Sequence, residues 1–282
     1  MACRIATEGD PYKWTKMQIT SLHNPRVKAA AKLRERKGRD EQGRIIIDGL
    51  REIGLALAAD VKVVELYCCP ELCLNDRHQR LLGDAKRGGA ELIEISPQAM
   101  EKIAFGNRVE GVVAVALPPQ RALKDLQLPQ DALVAVVEGV EKPGNLGAIL
   151  RTADAAGVAA IIAAGSVTDL YNPNAIRASL GAIFTVPFCA AADQSALDWL
   201  RAEKFRLFAA RVEAPADYRT ADLRGRAAIV LGSEAAGLTP LWQAPDITPI
   251  RLPLLGRVDS LNLSATAAVL FYEALRQRTA TS

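Results

Sequence analysis

Five polar residues in the second half of the chain have the types and spacing to do chemistry together: Asn145, Arg151, Glu234, Ser260 and Asn262. Each sits in a glycine-bearing segment where an apolar run gives way to a turn or a helical pattern. The first, VEGVEKPGNLGAILRTADAAGV from Val137 to Val158, turns at Pro143, Gly144 and Asn145 and then begins a helix. Such a junction offers free backbone N–H groups and the positive end of a helix dipole to a polar ligand. With the helix starting near Gly144, Arg151 lies about two turns in and can lean back toward Asn145. The second, IVLGSEAAGL from Ile229 to Leu238, runs an apolar strand into Gly232, Ser233 and Glu234, where glycine permits close approach to the backbone. The third, IRLPLLGRVDSLNLSATAAVLFYEALRQR from Ile250 to Arg278, places Ser260 and Asn262 where a loop meets a long alanine-rich helix.

Taken singly, these residues also have structural readings: Asn145 as a cap, Arg151 in a surface ion pair, Glu234 as a helix N-terminal carboxylate, Ser260 and Asn262 as caps. Three polar-and-glycine junctions at strand ends in one half of a chain converge better on a ligand pocket. None of them has the G-x-G-x-x-G spacing followed by an acidic ribose hook, which disfavours a nicotinamide site and a Rossmann-type oxidoreductase.

The elements that must position these residues have an α/β signature. Apolar runs at Ala132 to Val137, Ala159 to Ala163, Arg206 to Ala210, Ala227 to Leu231 and Ile247 to Leu252 read as strands separated by helical segments, predicting a mainly parallel sheet covered on both faces. Before them, strands are expected at Arg44 to Ile47, Val61 to Cys68, Glu91 to Ile95 and Gly111 to Ala116, with helices beginning near Pro25, Gly49, Glu71 and Pro97. The stretch LPPQRALKDLQLPQD, with three prolines, suits an exposed connection. The expected organisation is a loose arm at 1–16, a smaller α/β domain at 17–117, a linker at 118–130 and a larger α/β domain at 131–282.

With 35 basic against 32 acidic residues, the overall charge of +3 selects no partner, but local clustering does. Asn24 and Pro25 form a good helix start and Gly38 a natural stop, predicting a helix from Pro25 to Lys37. From His23 to Arg44 there are eight basic residues (Arg26, Lys28, Lys32, Arg34, Arg36, Lys37, Arg39, Arg44) and three acidic ones (Glu35, Asp40, Glu41), so the segment carries 8 − 3 = +5. Such density can neutralise phosphates and release their counterions, although a solvated helix face is the plain alternative. No aromatic residue lies among these cations, which favours phosphate and shape contacts over base stacking. The five cysteines include Cys68, Cys69 and Cys73, a cluster without C-x-x-C spacing, so no metal is expected. No apolar stretch is long enough to cross a bilayer and the start MACRIATEGDPYKW lacks a signal peptide's apolar core, so no membrane partner and a cytoplasmic location are expected.

The three glycine-bearing segments, in this order and at this distance from the C-terminus, resemble the three motifs of the SpoU (TrmH) family within the SPOUT methyltransferase class. DLYNPNAIRASLGAIFTVPF, from Asp169 to Phe188, looks like the family's stretch between its first and second motifs. ITSLHNPRVKAAAKLRERKGRDEQGRIIIDGLREI, from Ile19 to Ile53, is similar to the ribosomal-protein-like α/β substrate-binding domain that many members carry first.

The resemblance implies an RNA ribose 2′-O-methyltransferase that uses S-adenosyl-L-methionine. It also implies a C-terminal α/β trefoil knot and a homodimer whose active site draws on both subunits. It assigns the first-motif asparagine and arginine to Asn145 and Arg151, the second-motif glutamate to Glu234, and the third-motif serine and asparagine to Ser260 and Asn262. Cofactor contacts, largely through backbone, fall on Gly232, Leu252 and Leu261. Arg26, Lys28, Arg34, Arg39 and Arg44 become the expected RNA contacts, joined by Arg177 in the Asp169 to Phe188 stretch. The added N-terminal domain favours large-subunit (23S) ribosomal RNA, with transfer RNA as the alternative; a non-catalytic RNA-binding protein of this fold is disfavoured because all five motif residues are present. Arg151 is commonly given the role of base in this family, a role that suits a guanidinium poorly, since that group is a donor without a free acceptor site.

Overall fold

In a computed structural model of the chain, the structure describes residues 18–105, 110–165 and 169–280. The expected arm at 1–16 lies outside the described residues. The chain divides into two compact units between Pro118 and Pro119.

The N-terminal unit runs α1 (Pro25–Lys32), α2 (Arg36–Gln42), β1 (Ile45–Asp48), α3 (Leu50–Ala58), β2 (Val63–Cys68), α4 (Asp76–Arg87), β3 (Glu91–Glu94), α5 (Pro97–Ile103) and β4 (Val112–Ala116). Its sheet has the order β1-β4-β2-β3, with β4 antiparallel to both neighbours and β3 parallel to β2. Val27, Ala30 and Leu33 of the basic segment are buried against Ile46, Tyr67, Val113 and Met100, so the apolar residues of α1 anchor it and leave Lys28 in solvent.

Two helix boundaries differ from expectation for local reasons. The basic helix is two helices, broken after Lys32, and Gly38 lies inside α2 as a contact point. A Cβ there would sit 2.1 Å from the Lys32 carbonyl oxygen, and the left-handed stop is Gly43, at φ +59°. Helix α4 begins at Asp76 instead of near Glu71, because Asn75 Oδ1 accepts from the N–H groups of Arg77 (3.0 Å) and His78 (3.2 Å). Residues 71–74 are instead a turn on the Cys69 carbonyl, which accepts from Leu72 N (2.9 Å) and Cys73 N (3.0 Å).

The C-terminal unit runs β5 (Leu133–Glu138), α6 (Pro143–Ala156), β6 (Ala160–Ala164), α7 (Pro173–Ala178), α8 (Ala182–Thr185), β7 (Phe188–Ala191), α9 (Asp193–Ala202), β8 (Arg206–Ala210), β9 (Ala216–Asp217), β10 (Ala227–Leu231), β11 (Ile247–Arg251) and α10 (Leu263–Thr279). The sheet order is β7-β6-β5-β10-β8-β11-β9, with every pairing parallel. Buried on both faces, β5, β6 and β10 are continuous apolar runs, the pattern a covered parallel strand requires. Sequence periodicity missed β7 and β9. The former reads FCAA, without a β-branched residue, and the latter pairs only two residues with β11.

Within the stretch expected as a linker at 118–130, residues 119–128 are mostly exposed, but their leucines Leu123, Leu126 and Leu128 pack, partly buried, against the core of this unit. Where β5 ends, the buried Glu138 carboxylate accepts from Thr239 N (2.8 Å), Thr239 Oγ1 (2.7 Å) and Trp242 Nε1 (2.9 Å), pinning the segment that follows β10 to the C-terminal end of β5. Among the described residues no helix is long and apolar enough to cross a membrane.

Helix α6 carries the first motif and packs between α7 and α10. Its approach to α7 depends on Gly147, where a Cβ would stand 2.5 Å from the Ala175 carbonyl oxygen and 2.6 Å from Ala178 Cβ. Gly147→Ala should therefore lower stability by about 1–3 kcal/mol through overpacking, overriding a helix-propensity gain of about 1 kcal/mol. Urea unfolding of the two proteins measures this, and an alanine variant as stable as the parent would refute the close approach.

Candidate active site

Because β5, β10, β8 and β11 are adjacent and parallel, the loops that leave their C-terminal ends meet at one edge of the sheet, where open α/β sheets place their sites. After β10 the chain makes a tight reversal: Ser233 N donates to Gly237 O (3.1 Å) and Gly237 N donates back to Ser233 O (3.0 Å). Gly232 is required by that reversal, since a Cβ on it would lie 2.3 Å from the Gly237 carbonyl carbon.

The reversal projects Glu234 toward the starts of two helices. Its Oε1 accepts from Asn262 Nδ2 (2.7 Å), Asn145 Nδ2 (3.0 Å) and Leu263 N (3.3 Å), and its Oε2 accepts from Lys142 Nζ (2.7 Å). Asn262 Nδ2 also donates to Asn145 Oδ1 (3.2 Å). One carboxylate thus joins the first turn of α6 to the first turn of α10. Lys142, followed by the Leu263 N–H and the Asn145 amide, holds the Glu234 carboxyl below its ordinary value, and Glu234 in turn raises Lys142.

Cap and cluster roles coexist in Asn262. While its Nδ2 serves the cluster, its Oδ1 accepts from Ser264 N (3.0 Å), Ser264 Oγ (2.6 Å) and Ala265 N (3.4 Å), so it is also the N-cap of α10. Asn145, by contrast, caps nothing; it is the third residue of α6, and Lys142 holds the N-cap position without a side-chain cap bond.

Beside the cluster lies a cleft of about 420 Å³, within the range of small-molecule sites. Gly232, Leu252 and Leu261 all line it, as do Ser260, Glu234, Leu231, Leu238 and Leu254. The five motif residues therefore fall into three places. Asn145, Glu234 and Asn262 are bonded together, and Ser260 is on the cleft wall without a bond to the cluster. Arg151 is exposed two turns along α6, with no side-chain hydrogen bond or ion pair among the described residues. Its expected reach back to Asn145 is not seen.

Lys142 was missed by sequence reasoning, although a lone cation directly before the Pro143 turn was the available signal. Of the expected RNA contacts, Lys28 and Arg34 are exposed, the latter over the Phe105 ring at 5.4 Å. Arg44 is half-buried before β1 and Arg177 half-buried in the last turn of α7. Arg26 makes a two-point ion pair with Glu91, at 2.6 Å for each bond. Arg39 corrects the expectation outright: it is 5% exposed and donates to the Leu33 carbonyl at 2.5 Å, a strut across the break between α1 and α2 that cannot meet a phosphate. The four described cysteines are buried free thiols, and no group of metal-ligating side chains gathers among the described residues.

A parallel sheet with a cleft and a carboxylate–amide cluster at its C-terminal edge places the chain among α/β proteins with a small-molecule site at the strand ends. Comparison with known proteins is specific. Residues 132–272 match the SpoU rRNA methylase family and residues 24–114 match the MRM3-like substrate-binding domain. The chain is 37% identical over 215 residues to the 23S rRNA (guanosine-2′-O-)-methyltransferase RlmB of Xylella fastidiosa, covering 73% of this chain and 86% of that one. It superposes on a crystal structure of an RNA 2′-O ribose methyltransferase with a TM-score of 0.80 at 42% identity, covering 93% of this chain and 100% of the other. An AdoMet-bound rRNA methyltransferase from Sinorhizobium meliloti gives a TM-score of 0.84 at 30% identity, covering 92% and 97%. The chain belongs to the SpoU rRNA methylase family and is an S-adenosylmethionine-dependent RNA methyltransferase.

Glu234 has a folded-state pKa below its ordinary 4.5, so its bonds stabilise the fold fully above that value and are lost as pH falls through the lowered one. Glu234→Gln should accordingly unfold at lower urea than the parent at pH 7, with the gap closing as pH drops below 4.5 and the parent's carboxylate gains its proton. A gap independent of pH between 7 and 3 would show that the charge on Glu234 does not hold the cluster.

Proposed function

We propose that this protein methylates a ribose 2′-hydroxyl of large-subunit ribosomal RNA in the cytoplasm, and that it does so in the cleft beside Glu234. The observation that carries the reading is the physical sharing of Glu234. One side chain lines a cleft walled by Gly232, Leu252 and Leu261 and also fixes Asn145 and Asn262. The residues fit the cofactor: glycine and leucine walls at a sheet edge suit a nucleoside, and the absence of a Cβ on Gly232 keeps the loop backbone folded at the cleft.

When bound there, S-adenosylmethionine supplies an electrophilic methyl group and a neutral leaving group. The chain's task is then to hold a ribose hydroxyl in line with that carbon and to accommodate charge on the attacking oxygen. Ser260, on the cleft wall, can hydrogen-bond the incoming ribose, and the Glu234–Asn145–Asn262 cluster keeps the α6 and α10 starts in fixed relation. Arg151 orients the hydroxyl and stabilises developing negative charge. As a guanidinium it acts as a cationic clamp and not as a proton acceptor, and the proton of the attacking hydroxyl passes to solvent water.

Arg151 lies outside the cleft of its own chain, which supports a homodimer in which a second copy presents its arginine. The exposed apolar residues Leu255, Val258 and Leu261 before α10, and Val269 and Tyr272 on it, supply a surface that such an assembly would cover. The trefoil-knotted path of the C-terminal unit belongs to the same proposal, supported by its likeness to the methyltransferase structures. Lys28, Arg34 and Arg44 are the candidates to meet RNA phosphates in the N-terminal unit, with Arg177 in the C-terminal one.

Arg151→Ala should reduce turnover by about 100- to 1000-fold while leaving donor affinity intact, and Arg151→Lys should retain part of the rate. Calorimetry alongside single-turnover kinetics checks this; an equal loss of donor affinity would remove Arg151 from the acceptor side. Ribose-methylation mapping of total RNA from cells with and without the gene should show one large-subunit site lost. An unchanged map, or a lost site in transfer RNA, would overturn the substrate.

A further inference from the structure

The donor carries an α-carboxylate on its methionyl end, and none of Gly232, Leu252 and Leu261 can neutralise it. Backbone N–H groups at two edges of the cleft, the start of α10 and the reversal after β10, are largely committed. At the start of α10, Leu263 N donates to Glu234, Ser264 N and Ala265 N to Asn262 Oδ1, and Thr266 N to the Asn262 carbonyl. In the reversal after β10, Ser233 N, Ala236 N and Gly237 N are all spent within the loop. The helix start and the tight loop therefore leave little for an anion.

The charged residues that line the cleft are Glu213, Glu234 and Arg211. Two are acidic and repel a carboxylate, which leaves Arg211. This residue directly follows β8, where its backbone N–H donates to the Ile250 carbonyl at 2.9 Å and so fixes the base of the side chain against β11. The guanidinium makes no ion pair or side-chain hydrogen bond among the described residues, and its Nη2 is screened from solvent with no acceptor. A half-buried guanidinium without an acceptor carries a desolvation cost that a carboxylate would relieve, and its planar fork matches carboxylate geometry at two points.

The geometry points to Arg211 as the residue that binds the α-carboxylate of the methyl donor and of its demethylated product. This rests on the cleft being the donor site. Arg211 is thus a specificity residue, distinguishing the complete donor from thionucleosides that lack the amino-acid end.

Calorimetry on the full chain separates the possibilities, using S-adenosylhomocysteine, which keeps the carboxylate, and 5′-methylthioadenosine, which lacks it. Arg211→Met should weaken S-adenosylhomocysteine by about 10- to 100-fold, the worth of charged hydrogen bonds, and leave methylthioadenosine unchanged. Arg211→Lys, which keeps charge but not the fork, should fall between. Unaltered S-adenosylhomocysteine affinity in Arg211→Met, or an equal loss for both ligands in both variants, would overturn the assignment. If the parent protein bound neither ligand, the donor site itself would be wrong, a different failure recognisable before any variant is made. Since the side chain makes no bond within the chain, both variants should melt with the parent.

Discussion

The acceptance of several N–H groups by the single carboxylate of Glu234 is the interaction on which the site depends. Its two oxygens collect donors from the segment before α6, from α6 itself and from the start of α10, elements far apart in sequence. A neutral amide at this position would bring donors of its own to face those of Asn145 and Asn262. The charge also sits at the start of α10, where a helix dipole favours it. Everything else at this edge of the sheet works to deliver that group: the parallel strands align the loops, the reversal at Gly232 turns Glu234 toward the starts of α6 and α10, and Gly147 lets α6 settle against α7.

The N-terminal unit uses its cations in two distinct ways. Arg39 braces the break between α1 and α2 from within, buried against the Leu33 carbonyl, while Arg26 is engaged at the surface by Glu91 at the end of the sheet. Lys28 and Arg34 face solvent instead. A charge count along the segment treats all of these alike, yet a guanidinium engaged on two carboxylate oxygens has less to offer a phosphate than an unengaged ammonium.

Much of the architecture was legible because covered parallel strands leave an unmistakable apolar signature; Arg206–Ala210 and Ala227–Leu231 fall where the sequence reading put them. What escaped it was non-local. The helix break after Lys32 arises because Gly38 comes back onto the Lys32 carbonyl, which no propensity encodes. Arg39 reads as a surface cation until the fold buries it. At the site, the motif residues could be named, but not their partners: Lys142 joins the cluster only because the loop after β10 returns to it, and Ser260 parts from Asn262 although two positions separate them. Arg151, read as leaning toward Asn145, stands apart from it.

The leucines at 123, 126 and 128 carry one more consequence. The covalent path from one unit to the next suggests a tether of about a dozen residues, yet those residues serve as a seal over the greasy side of the catalytic half. The seam at which the two halves separate is accordingly the proline pair at 118 and 119. A catalytic half inherited or excised without its seal would bare hydrophobic surface and tend to clump, so the strap travels with the enzyme it covers, whatever domain precedes it.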